Sequence, residues 1–226
     1  MILLNDCDEV NHDKPSAIFL THYFENILFI LISSPTKQAE ALRINNICRQ
    51  NNPQTVFFLS GTFGIEGWFI SDFGVDFQHK GDPPNDKKIL KITFPSLQSV
   101  FNQSWGAAIS RFFPLSTTYV KSRVLREFIT AENRLPVQSE ADLKTLNEIA
   151  VKKLASNKVD ESFLAKLELG RFPSICGSVN SMACSILGSY LAQEVIKGVS
   201  LSGVPGFNIF ELNGDDCSVR AFPFGV

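Results

Sequence analysis

The stretch Ile27-Leu28-Phe29-Ile30-Leu31-Ile32, followed by Ser33-Ser34-Pro35-Thr36, decides the fold. A short apolar run with no polar alternation reads as a strand buried on both faces, as in a parallel sheet. Ser34 or Thr36 can cap a helix, and Pro35 suits its first turn. That helix is expected to reach about Gln50, with Ala39, Leu42 and Ile47 toward a core, and Asn51-Asn52-Pro53 ends it. Residues 55–59 read as a second buried strand. The β-α-β order predicts a parallel crossover, and with it an α/β protein with a mostly parallel, partial Rossmann-like sheet.

Outward from this unit, residues 1–4 read as a short strand and 5–15 as a loop. Downstream, Gly61-Thr62-Phe63-Gly64-Ile65-Glu66-Gly67 is a glycine-punctuated connection, followed by strands at 68–73 and 88–94 with an exposed turn at 79–86 between them. From Pro95 the pattern is helical. A helix over 116–133 ends at Leu135-Pro136, and Ser139-Glu140-Ala141-Asp142 fits a capping box opening a second helix that carries Leu143, Leu146, Ala150 and Leu154. Asp160 caps a third, with Phe163, Leu164 and Leu167, closed by Gly170. Residues 178–199 form a long helix with Ala183, Ser185, Gly188, Ser189 and Ala192 on several sides; such a helix is expected to be buried, with close neighbours at Gly188. Strands at 207–212 and 217–222 follow, joined at Asn213-Gly214-Asp215-Asp216, a hairpin signal. This divides the chain into a partial adenylation-type α/β region (1–95), a helical insert (96–172), and a C-terminal helix and strands (173–226) that return to the first region.

Composition excludes several function classes. With 226 residues, 44% hydrophobic and 19% charged, the chain can bury a core and is not disordered throughout. Its net charge of −2 supplies no strong basic field for nucleic acid. Twenty Phe residues point to ring-filled cores. The densest apolar run is six residues, far short of the ~20 that span a bilayer, and the start carries no basic signal-peptide region. Cys7, Cys48, Cys176, Cys184 and Cys217 form no Cys-x-x-Cys pair, so reduced cysteines are expected and a local zinc site is not. Cys176, just ahead of the long helix, sits where a helix dipole would lower a thiol pKa, although Gly177 and Cys184 also fit plain packing. His12, His22 and His79 lie at no ligand spacing. No Gly-x-Gly-x-x-Gly or Walker-type loop is present, and the 61–67 glycines sit between two strands, where they serve an unusual backbone conformation.

Several blocks resemble the ThiF-like adenylation-domain family of ubiquitin-like-protein activating enzymes. Ile44-Asn45-Asn46-Ile47-Cys48 looks like the family's helix beside the nucleotide site, and residues 57–72 look like its strand, glycine loop and return strand. Residues 117–133, running into Leu135-Pro136, and the capped helix after them resemble the smaller, non-cysteine subunit type of the SUMO-activating enzyme. Ser185-Ile186-Leu187-Gly188-Ser189-Tyr190-Leu191-Ala192-Gln193-Glu194-Val195-Ile196-Lys197 resembles the family's Leu-Ala-Gln-Glu helix, and Phe207-Asn208-Ile209-Phe210 its following strand. Together these blocks run from about Lys14 to Val219.

The departures are informative. The family's first strand, phosphate loop, ribose-binding acid and N-terminal arginine have no counterpart, so the resemblance implies an N-terminally incomplete chain that folds poorly alone. Thr36 and Lys37 stand at the family's Asp-Asn pair, and Ala41 at its catalytic Arg. Holding Mg²⁺ and neutralising phosphate need a carboxylate and a cation there. The resemblance therefore implies a regulatory, catalytically inactive subunit with no catalytic, cofactor or metal residues of its own. It would pair with a cysteine-bearing large subunit that uses ATP and Mg to adenylate SUMO and form the thioester, in the nucleus and also the cytoplasm. Gly61, Phe63, Gly64, Gly67, Gly188, Gln193 and Glu194 are the candidate structural or interface residues. Other readings are a fragment of a ubiquitin- or neddylation-activating enzyme, a ThiF-like sulfur-carrier adenylyltransferase, and a non-enzymatic module that competes for a partner subunit.

Overall fold

The computed structural model of the chain describes residues 19–24, 27–33, 38–50, 55–81, 88–108, 114–206, 208–214 and 217–224. The strand and loop read at 1–15, the caps at Ser34 or Thr36, and the Asn51-Asn52-Pro53 stop lie outside them.

Strand β1 (Phe19–Phe24) runs antiparallel to β2 (Ile27–Ser33). Helix α1 (Gln38–Gln50) then carries the chain to β3 (Thr55–Phe63), parallel to β2 with Leu28 opposite Thr55. This is the expected crossover. Strand β4 (Glu66–Asp72) returns antiparallel on β3, and β5 (Phe77–Lys80) pairs with β6 (Ile89–Ile92) in a separate ribbon. The helical part holds α2 (Leu97–Asn102), α3 (Trp105–Ala108), α4 (Thr117–Glu132), α5 (Glu140–Ser156), a 3₁₀ segment (Glu161–Leu167) and α6 (Phe172–Ile175). Helix α7 (Ser181–Ser200) and the hairpin β7 (Ile209–Asn213) and β8 (Ser218–Phe222) complete the order.

The α/β class, the helical insert and the C-terminal helix with its hairpin all stand. The parallel arrangement is confined to one pairing. In the sheet β1-β2-β3-β4-β7-β8, β2–β3 is parallel and the other four pairings are antiparallel. Connection length accounts for the pairings between consecutive strands: a two-residue link such as Gly64-Ile65 can only reverse the chain, whereas parallel neighbours need a crossover; β4 and β7 are joined through the helical part, and their antiparallel pairing is not set by a short link.

Alternation along the strands builds two cores. Phe57, Leu59, Phe63, Trp68, Ile70 and Ile209 face α1, α4 and their neighbours. Val56, Phe58, Phe69, Phe210 and Leu212 face α7, where Phe69 stacks on Phe210 with ring centroids 4.4 Å apart. On α1 the buried residues are Ala41, Ile44, Asn45 and Cys48, while Ala39 and Ile47 are exposed and Leu42 is half-buried. The expected face is thus rotated. Asn45, a polar residue, turns inward because it has partners there: its amide donates to Asp72 at 2.7 Å and its Oδ1 accepts from the Leu97 N–H at 3.0 Å. Asp72 also accepts from Arg49 at 2.6 Å and from the Gly74 N–H at 2.8 Å, so this buried carboxylate is fully occupied.

The caps at Ser139 and Asp160 form as read, and Ser116 caps α4 as well, each side-chain oxygen accepting a backbone N–H of the first turn. The 3₁₀ segment is closed by Glu168 in the left-handed region (φ 47°), and not by Gly170. Helix α4 buries two arginines three residues apart. Arg123 lies 4.0 Å over the Phe101 ring, and Arg126 lies 4.9 Å over Trp68 with Nη1 and Nη2 making no hydrogen bond. Burial and the neighbouring Arg123 charge push Arg126 down to about 9.

Candidate functional site

The turn between β3 and β4 joins three elements. Phe63 pairs with Glu66, leaving Gly64 and Ile65 as the link, and Gly64 takes φ +58°, which only glycine adopts without strain. The Gly64 N–H donates to the Ser178 carbonyl at 3.3 Å, clipping the turn to the segment ahead of α7. Gly61 is buried in register with Trp68, and Phe63 packs edge-on against Phe172 of α6 at 5.3 Å. Gly67 serves space: a Cβ there would sit 2.2 Å from Leu187 Cδ1.

Gly67, and not Gly188, is therefore where α7 approaches closely. Gly188 is exposed, and a Cβ added there would meet no atom within 4 Å. The expected all-round burial of α7 is corrected accordingly. The helix seats Ala183, Leu187, Glu194 and Gly198 on the sheet, and Ser185, Gly188, Ser189, Ala192 and Gln193 fall on the opposite, exposed arc because 3.6-residue periodicity places them there. Glu194 is an anchor. Its buried carboxylate accepts from Lys197 Nζ at 2.7 Å and from the Gly206 N–H at 2.7 Å, which fixes the chain entering β7.

Burial acts against thiolate formation at both buried cysteines among the described residues. Burial, aided by Asp72, pushes Cys48 up to about 12. Burial pushes Cys176 up to about 11; it caps the C-terminal end of α6 and sits five residues ahead of α7, so the α7 dipole does not lower it as the sequence suggested. His79 is buried with Nδ1 3.0 Å from the Lys80 carbonyl. Among the described residues, no three His, Cys, Asp or Glu side chains come together to hold a metal ion. No described helix is long and apolar enough to cross a membrane.

A cavity of about 560 Å³ opens on the α4 side of the sheet, between the start of α4, the ends of β4, β7 and β8, and the turn around Glu168. It was not legible as a site in the sequence. Going along the strands on this face, apolar residues give way to charge: Ile70 and Trp68 to Glu66, Ile209 to Glu211, Phe222 to Arg220. Glu66 accepts from Lys121 Nζ at 2.6 Å and from Thr118 Oγ1 at 2.8 Å. Glu211 is buried, its Oε2 makes no hydrogen bond, and burial pushes its carboxyl up to about 7, with Arg220 opposing and Glu66 adding to the rise. The signal available beforehand was a single acid on the inward parity of an apolar strand.

No protein-family profile matches the chain. Curated proteins do. It is 28% identical to SUMO-activating enzyme subunit 1A of Arabidopsis thaliana over 87% of the chain and 59% of that protein. It is also 28% identical to SUMO-activating enzyme subunit 1 of Xenopus laevis over 92% of the chain and 65% of the relative. The chain is similar to SUMO-activating enzyme subunit 1 proteins. The human protein of that name is 24% identical over 76% of the chain. The chain spans about three-fifths of the length of these relatives, 59% and 65% for the first two.

Proposed function

We propose that this chain acts as the small, catalytically inert half of a heterodimeric SUMO-activating enzyme, supporting adenylation and thioester formation by a cysteine-bearing partner, with the nucleus as its place of action. The observation that carries the reading is the similarity to subunit 1 proteins over most of the chain, at 24–28% identity. The residue at the catalytic-arginine position of the resembled family supports it. Ala41 is a fully buried methyl group in the core around α1, and it can neither reach nor neutralise a phosphate. Thr36 and Lys37 lie outside the described residues. On this reading ATP and Mg²⁺ are used at the partner subunit.

Reconstitution tests it. Mixed with a cysteine-bearing SUMO-activating subunit, SUMO and ATP, the chain should co-elute with that subunit and raise the yield of its thiol-sensitive SUMO adduct. Alone, it should show no SUMO-stimulated exchange of pyrophosphate into ATP. Partner-free exchange at a stoichiometric level would assign the chemistry to this chain and end the scaffold reading.

A further inference from the structure

We draw no further inference here: the strongest candidate, the exposed arc of α7 that carries Met182, Tyr190 and Ile196 and runs on to Val179, Leu201 and Val204 at its two ends, is an unpartnered apolar face, and nothing in the structure shows what covers it.

Discussion

The two faces of the sheet are built on different principles. Under α7 the contact is one of shape: Phe69 stacks on Phe210, Leu187 fills the space left by Gly67, and Glu194 anchors the helix end. Under α1 and α4 the same alternation brings charge inside. Asp72 sits at one end, Glu66 and Glu211 at the other, and Arg123 and Arg126 between. Shape errors are absorbed by small side-chain shifts, whereas a buried charge is either paired or penalised. Substitutions on the α4 face should therefore have the larger effects, in both directions, and those on the α7 face the smaller.

The paired end of the charged face should show the largest loss. Asp72→Ala removes the acceptor of Asn45, Arg49 and the Gly74 N–H and strands a partly buried guanidinium. We expect a loss of about 3–5 kcal/mol in denaturant unfolding. A loss below about 1 kcal/mol would mean that the network is bystander to the fold.

Arg126 should give the opposite sign. It is 2% exposed, has two unbonded nitrogens, and faces rings and another arginine with no carboxylate among its described contacts. Arg126→Met keeps much of the volume and removes the charge, so stability should rise by about 1–4 kcal/mol. A destabilised Arg126→Met protein would show that the cation over Trp68 outweighs its desolvation.

Glu211 turns the comparison into a pH profile. Its folded value of about 7 lies above the 4.5 of an unperturbed carboxyl, so the folded state holds the proton more tightly. The penalty is absent below pH 4.5, grows as pH rises, and is complete above about 7. Wild type should therefore lose up to about 3 kcal/mol relative to Glu211→Gln across that window. Parallel curves for the two proteins would place the Glu211 carboxyl in water.

Local features were legible in the sequence and long-range ones were not, for physical reasons. Periodicity and capping are local, so the Ser139 and Asp160 caps, the β2-α1-β3 crossover and the β7–β8 hairpin were readable. Direction was not local. Whether β4 and β7 run parallel or antiparallel depends on which strands the chain meets on return, and β1 and β5 gave no separate signal. Buried polar partners were invisible for the same reason: Asn45 faces inward because Asp72, 27 residues away, accepts from it. Glu66 fell in the glycine-punctuated connection and Glu211 in a strand, with nothing to single out either one, and the cavity exists only once β4 and β7 are paired.

Two glycines on the α7 face close the comparison, because sequence reasoning assigned close packing to the wrong one. A Cβ at Gly67 would press 2.2 Å from Leu187 Cδ1 and 3.1 Å from Thr62 Cγ2. The Leu187 terminus can move, so Gly67→Ala should cost about 1–3 kcal/mol, and less when Leu187 is already Ala. At Gly188 the sign reverses. Nothing lies within 4 Å, the residue is in the interior of a 20-residue helix, and no positive φ demands glycine. Ala loses less backbone entropy on entering a helix, so Gly188→Ala should raise stability by up to about 1 kcal/mol. Denaturant midpoints at low protein concentration measure both. A loss at Gly188 that deepens with protein concentration would show that the exposed arc of α7 is covered by another chain in solution, and the α7 face would then need to be counted as an interface.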